Sequence, residues 1–343
     1  MSNPRRITQR DIARLARVSQ ATVSLVLNNR TDAGVRIAPE TRERVLEVIR
    51  ETGYVADPIA RRLVDRRNRI IGVFTYEPVF PSATRDFYHP FLVGIEEAAE
   101  RLGCDLLLFT STPVIDGRRR ILHEDNRLRL ADGSVLLGRH MDADDLSKLV
   151  ADGYPIAAVG RRDHDAVPYV GAGYAAATAA LVRDALALGH RTTAYVGPGA
   201  GAESSADRLR GYRETIEGAA VGDPLHAADV SASALDALLA AGATALFVEE
   251  PADAVALVGF ARERGLDVPA DLSVLTLGDP VRPIDGDPAD RLDFTGFSIP
   301  RRAMGWQAVE VLTAALEGET ADLQRLLACE PVVGATLARP AAR

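Results

Sequence analysis

The pattern of apolar and polar positions changes once along the chain, near residue 70. Before that point apolar residues recur every three or four positions. Ile12, Ala13, Leu15 and Ala16 form one stripe, Val23, Val26 and Leu27 a second, and Val45, Leu46 and Ile49 a third. Such spacing predicts three short helices around a small core. Thr8 stands at the cap of the first, with Asp11 three residues on, as a capping box requires. Arg17-Val18 breaks the pattern, and Ser19 caps the second helix. Pro39 opens the third where proline is tolerated, and Gly53 ends it.

From Ile70 short apolar runs alternate with helical patterns. IIGVF (70–74), DLLLF (105–109), SVLLG (134–138), IAAVG (156–160), TTAYVG (192–197), ALFV (245–248) and LSVLTL (272–277) predict strands. Helices are predicted over Phe91–Leu102, Ala143–Asp152, Ala175–Leu188, Ser205–Glu217, Ala252–Arg264 and Arg301–Glu317. This alternation implies parallel sheets with helices on both faces. The strands before and after about residue 165 form two similar sets, which predicts two lobes. In such folds a ligand sits at the carboxyl ends of the strands, here in an interlobe cleft that closes by hinge motion. The fold class is therefore an all-α helix-turn-helix head followed by a two-lobed α/β core with parallel sheets. The expected boundaries are 1–56 for the head, 57–69 for a hinge and linker, and 70–343 for the core.

Composition narrows the class. With 343 residues, 47% hydrophobic and 26% charged, the chain reads as a soluble protein of several units. It shows no apolar run of membrane-spanning length and no signal peptide, so a cytoplasmic location is expected. Cys104 and Cys329 lack metal or redox spacing. The net charge of −8 conceals a split. Residues 1–70 hold 15 arginines against 8 acids, whereas the remainder holds 25 basic and 40 acidic residues. A basic head on an acidic body points to nucleic-acid contact confined to the N-terminus.

The second helix leaves Gln20, Ala21, Thr22, Ser24, Leu25 and Asn28 outside the core. Short polar side chains of this kind suit a DNA major groove, though the pattern alone is equally that of a helical hairpin. DIARLARVSQATVSLVLN (11–28) closely resembles the N-terminal signature of the LacI/GalR transcription regulators. The resemblance continues through PETRERVLEVIRETGYVADPIARRL (39–63) and runs more loosely over the rest. It implies a core similar to periplasmic sugar-binding proteins, with a late segment near Asp279–Arg291 returning to the first lobe. It also implies that Gln20 and Ala21 face bases, with Ser24 on the same side. Ser19, Thr22 and Asn28 would fix phosphates or the backbone approach, and Thr8 joins this DNA-facing set. Arg36 and Arg42 are candidate phosphate contacts. Leu25 stands where many members carry an arginine that grips guanine. Leucine offers only apolar contact, for example to a thymine methyl. Ala38 replaces the serine that many members place before the third helix.

Asp57-Pro58-Ile59-Ala60-Arg61-Arg62-Leu63 is a second helix start, too short to be stable alone. By resemblance it is the hinge helix, folded when paired on operator DNA. Leu63 would be the wedge that enters the minor groove, and Ala60 would allow close approach. A plain linker is the competing reading. Arg5 and Arg6 lie in a basic arm, either solvated or touching DNA.

For an effector, Tyr88-His89-Pro90-Phe91 is expected to open a helix after the first strand, stacking on a ligand or packing the core. Arg161 follows a strand end and suits oxygen-rich groups. Arg208 aligns with the family's effector-contacting arginine, but an arginine there equally suits an anion or a neighbouring carboxylate. Sugar-binding members often carry an acid at the place of Gly173, Asn-Asp at Glu250-Pro251 and Asp at Gly278. Those groups fix sugar hydroxyls. Their absence leaves an anionic effector, a less polar one, or none as alternatives to a sugar.

Gly197-Pro198-Gly199-Ala200-Gly201 reads as a turn, because Pro198 lacks an amide donor and no Gly-Lys-Ser/Thr follows. His140, His190 and His226 lack metal spacing, and no cofactor or catalytic set is expected. A two-fold operator needs two heads, so a homodimer is expected, without a C-terminal coiled coil. The leading function is a DNA-binding repressor switched by a small molecule. A cytoplasmic solute-binding protein with a vestigial head, and an enzyme on a doubly wound sheet, are the competing classes.

Overall fold

The computed structural model describes residues 7–27, 37–54, 68–77, 85–110, 112–115, 118–123, 127–221, 225–279 and 292–341. The chain separates into two units, residues 1–68 and 69–343.

In the first unit, α1 (Gln9–Ala16), α2 (Gln20–Leu27) and α3 (Pro39–Thr52) enclose Ile12, Ala16, Val23 and Val45, which are fully buried. The predicted capping box is present: Asp11 N donates to Thr8 Oγ1 at 3.3 Å, and Thr8 N donates to the Asp11 carboxylate at 3.0 Å. Ser19 accepts from Thr22 N at 3.1 Å at the head of α2. Ala38 makes no side-chain cap on α3. Arg44 Nε reaches the Ala16 carbonyl at 2.9 Å, placing a cation on a helix end that carries negative partial charge. Leu15 departs from expectation, being 51% exposed. Ile12, Ala13 and Ala16 centre the buried stripe, and Leu15 lies about 100° round the helix from that centre.

The second unit holds two six-stranded sheets. The first contains β1 (Ile70–Thr75), β2 (Asp105–Phe109), β5 (Gly133–Leu137), β6 (Ile156–Val159), β7 (Tyr169–Ala172) and β13 (Gln324–Leu327), in the order β13-β7-β6-β5-β1-β2. The second contains β8 (Thr193–Val196), β9 (Leu225–Ala227), β10 (Ala245–Val248), β11 (Ser273–Thr276), β12 (Thr295–Ser298) and β14 (Glu330–Val332), in the order β14-β12-β11-β10-β8-β9. All pairings in the two sheets are parallel except β12 with β14. A small ribbon, β3 (Val114–Ile115) with β4 (Arg118–Arg119), lies between β2 and β5 in the chain.

Helices α4 (Arg85–Leu102), α5 (Ala143–Ala151), α6 (Tyr174–Leu188), α7 (Glu203–Ala219), α8 (Ala232–Ala240), α9 (Pro251–Glu263) and α10 (Arg301–Leu316) accompany the sheets. Two helices depart most from expectation: α8 has no counterpart among the predicted helices, and α4 begins at Arg85, ahead of the predicted Phe91, with Pro90 inside it. Pro90 removes one intrahelical bond. The aromatic packing of Phe87 on Tyr88 and Phe91, at 4.9 and 5.8 Å between ring centres, holds that turn.

The lobe crossings also differ from the sequence reading. Strand β7 still belongs to the first sheet, so the chain changes lobe after Ala172 rather than near 165. Residues 280–291 of the expected return segment lie outside the described residues. The return follows β12, which still pairs with β11, and α10 then packs on α4, β5, β6 and β7. Gly94 and Gly305 permit that packing. A Cβ on Gly94 would lie 1.9 Å from the Arg302 carbonyl oxygen, and one on Gly305 2.1 Å from that of Phe91. The two helix backbones therefore touch where no side chain fits.

Candidate nucleic-acid interface and effector cleft

On the head, the start of α2 and its outer face carry the candidate readers. Ser19, Gln20 and Ala21 are exposed, whereas Thr22, Ser24 and Leu25 are half-buried. Helix α2 contains neither acid nor base, so its outer surface offers amide, hydroxyl and methyl groups. Arg10 Nε holds the Gln20 amide oxygen at 3.4 Å, and the Ser19 and Thr22 hydroxyls lie 2.9 Å apart. Thr8 keeps its hydroxyl on Asp11 at 2.7 Å, a capping role that explains the residue without DNA. Arg42 is exposed on the first turn of α3. Arg5, Arg6, Asn28, Arg36, Ala60 and Leu63 lie outside the described residues.

In the core, the carboxyl ends of the strands of both sheets face one cleft. Its two connected chambers share Phe87, Arg139, Tyr174 and Ser204. The first is lined by Tyr88, Phe91, Gly160, Arg161 and Arg162, among others. The second lies beside Arg208, Glu249, Glu250, Gly278, Asp279 and Arg301. Tyr88, Phe91, Arg161, Arg208, Glu250 and Gly278 are thus brought together as the sequence suggested. Gly173 is not among the lining residues; it precedes α6 and donates its N–H to the Leu327 carbonyl at 2.8 Å. Its neighbour Tyr174 takes the lining position.

The cleft is densely charged, and its charges are mostly paired across it. Arg161 Nε donates to Asp207 at 2.7 Å and also bonds Asp163. Burial disfavours the Arg161 cation, but these two carboxylates outweigh it and raise its pKa further. Arg162 donates to Glu203 at 2.9 Å and to the carbonyls of Gly138 and Val159, both at 3.0 Å. Burial pulls its pKa down, opposed by Glu203. Arg139 meets Glu250 at 3.0 Å, and Arg301 bonds Asp279. Both guanidiniums approach the Phe87 ring, at 4.7 and 5.3 Å from its centre.

Deeper in, Glu249 is only 5% exposed. It accepts from Tyr195 Oη at 2.6 Å, from Gly199 N at 3.2 Å and from the Ser205 hydroxyl. Burial, and then Glu249, push the Tyr195 hydroxyl well above its ordinary pKa, so it remains a donor. Burial and the neighbouring Glu77 act alike on Tyr88, which donates to Glu77 at 2.5 Å. Burial likewise pushes the Cys329 thiol up to about 11.

Phe87, Arg139, Tyr174, Asp207, Glu249 and Arg301 were not anticipated as cleft residues. The usable signal was positional, since Glu249 directly follows β10 and Arg139 lies two residues beyond β5, strands whose carboxyl ends face a ligand in this architecture. Gly197–Gly201 is a turn from β8 to α7, as expected. Among the described residues no His, Cys, Asp and Glu side chains cluster in a way that would hold a metal. Among them, too, no helix is long and apolar enough to cross a membrane.

Known proteins place this geometry. Residues 8–57 match the model of bacterial regulatory proteins of the lacI family, and residues 182–337 match a periplasmic binding protein-like domain. An uncharacterized HTH-type transcriptional regulator in the aml 5' region of Streptomyces limosus is 32% identical over 326 residues, 90% of this chain and 88% of that protein. Catabolite control protein A of Priestia megaterium is 27% identical over 333 residues, 92% of this chain and 94% of its own. Among solved structures, the lac repressor dimer bound to operator and the anti-inducer ONPF superposes with a TM-score of 0.73 at 21% identity, over 97% of this chain and all of that one. The transcriptional regulator CelR in complex with cellobiose gives 0.62 at 26% identity, over 96% of this chain. The capped helix-turn-helix head, the two-lobed core and these matches together make the chain a member of the lacI family of bacterial regulatory proteins, DNA-binding regulators of transcription.

Proposed function

We propose that the chain acts in the cytoplasm as a homodimeric repressor on a palindromic operator, controlled by a small molecule in the interlobe cleft. The observation that carries the DNA reading is the outer face of α2, where Gln20 and Ala21 stand exposed beside Ser24 and Leu25. Gln20 and Ala21 meet base edges; Ser19, Thr22, Asn28, Arg36 and Arg42 position the head on the backbone. Leu25 replaces a guanine grip with a methyl contact and so changes the outer base preference. Residues 57–69 form the hinge, with Leu63 as the minor-groove wedge and Ala60 giving it room. Residues 1–56 are the head and 70–343 the core.

The cleft reading is supported by the convergence of aromatic rings and charged groups at strand ends. A simple neutral sugar fits it poorly. The acids Glu250 and Asp279 are already occupied by Arg139 and Arg301. Mobility shifts of genomic fragments at fixed salt, with and without fractionated metabolites, test both parts. A retarded fragment released or recruited by one fraction supports the switch. Tight calorimetric binding of a neutral monosaccharide would defeat the exclusion of sugars.

A further inference from the structure

Helix α2 has no cation of its own with which to grip guanine. It contains neither acid nor base, and Leu25 offers only an apolar surface. Guanine presents two acceptors in the major groove, N7 and O6, and a forked cation matches them best.

A cation reaches this face from α1 instead. Arg10 is exposed, and its Nε donates to Gln20 Oε1 at 3.4 Å. Gln20 is the first residue of α2, at the end of a recognition helix whose side chains meet base edges. Arg10 has no carboxylate partner among the described residues. The acid beside it in sequence, Asp11, accepts from Thr8 N and Oγ1 and lies 3.6 Å from Arg14.

The bond divides the work of the two side chains. With Nε held, the guanidinium plane is oriented, and Nη1 and Nη2 remain as a fork of donors. That fork fits guanine N7 and O6. A neutral amide orients the cation without cancelling its charge. Gln20 in turn commits an acceptor lone pair to Arg10. This weakens the adenine match, which needs both its oxygen and its NH2 group. The NH2 group has no partner among the described residues and can donate to a base or a phosphate.

We infer that Arg10 is a specificity-determining residue of the DNA interface, reading one guanine in each half-site, and that Gln20 positions it. This rests on the reading of α2 as the recognition helix. The guanine belongs to a different base pair from the one facing Leu25, because Gln20 and Leu25 lie about 7.5 Å apart along the α2 axis.

Selection of bound DNA from a random library locates the position. Titration of the selected site and its single-base variants with full-length protein then tests the assignment. Wild type should prefer guanine there by roughly 5- to 150-fold. Arg10→Met should abolish that preference. Arg10→Lys, a point charge without the fork, should keep the salt dependence and lose most of the preference. Gln20→Ala should weaken it several-fold. Arg14→Met, which alters another exposed arginine of α1, should leave it unchanged. A uniform loss of affinity across sequences in Arg10→Met, with the salt slope reduced by about 1, would make Arg10 a phosphate contact and overturn the assignment. An unchanged guanine preference in Arg10→Met, or full selectivity in Arg10→Lys, overturns it as well. Full selectivity in Gln20→Ala overturns the positioning role of Gln20. No enriched sequence with wild type overturns α2 as a reader, and this pair with it; the other outcomes overturn the pair alone.

Discussion

Arg161, just beyond β6, places Nε 2.7 Å from Oδ2 of Asp207 on α7, and this pair ties one lobe of the core to the other. Arg162 to Glu203, Arg139 to Glu250, and His140 to the Gly201 carbonyl at 2.7 Å repeat the same crossing. Asp207 is 3% exposed, so the tie is sheltered from solvent and salt.

Breaking the sheltered tie should loosen the cleft. Asp207→Asn leaves Arg161 with Asp163 alone and is expected to cost about 1.5–3 kcal/mol in urea unfolding. The radius of gyration of the core in X-ray scattering should rise. Arg139→Gln removes a half-exposed partner and should cost about 1 kcal/mol or less. Equal effects from the two substitutions would contradict the difference in burial.

The close contact of α4 with α10 makes a second prediction. Gly94→Ala forces a methyl group into the Arg302 carbonyl, a backbone atom that cannot swing aside. Overpacking of this kind costs about 1–3 kcal/mol, sometimes more. Gly318→Ala, where added bulk meets nothing within 4 Å, should cost less, and only through its positive φ of 83°. Chemical denaturation of both variants checks the order.

His190 sets a pH dependence. It is 1% exposed; Nε2 donates to the Ala338 carbonyl and Nδ1 lies against Thr244 Oγ1, both at 2.8 Å. Burial lowers its pKa from the ordinary 6.5, opposed by the bond to Ala338. The folded state thus binds the proton less readily than the unfolded one. The stabilising contribution is fully present above about pH 6.5 and is lost as pH falls towards the lowered value. Between pH 7.5 and 5 the wild type should lose more stability than His190→Gln, read as the difference in denaturant midpoint. Parallel pH profiles would remove His190 as the cause.

The two-lobed fold was legible because its central strands are buried on both faces and read as continuous apolar runs; ALFV at β10 is buried throughout. The edges were not. QRLL at β13 is alternately exposed, and β14 is an exposed Glu-Pro-Val that runs against propensity. The head was legible through its caps, which are local. The cleft was legible only as a set of strand ends. Its pairings join residues 46 and 111 positions apart, Arg161 with Asp207 and Arg139 with Glu250, and no local pattern announces them.

Operator specificity is the central claim, and Leu25 is its sharpest expression. Selection of bound DNA from a random library with the full-length protein, at defined salt, measures it directly. A palindrome with a kinkable central step is expected, with thymine tolerated or preferred at the outer position facing Leu25. Leu25→Arg should move that position to guanine, gaining about 1–3 kcal/mol of discrimination there. No enriched palindrome, with or without metabolite fractions, would contradict the account. An outer guanine already fixed in the wild type would contradict the role given to Leu25.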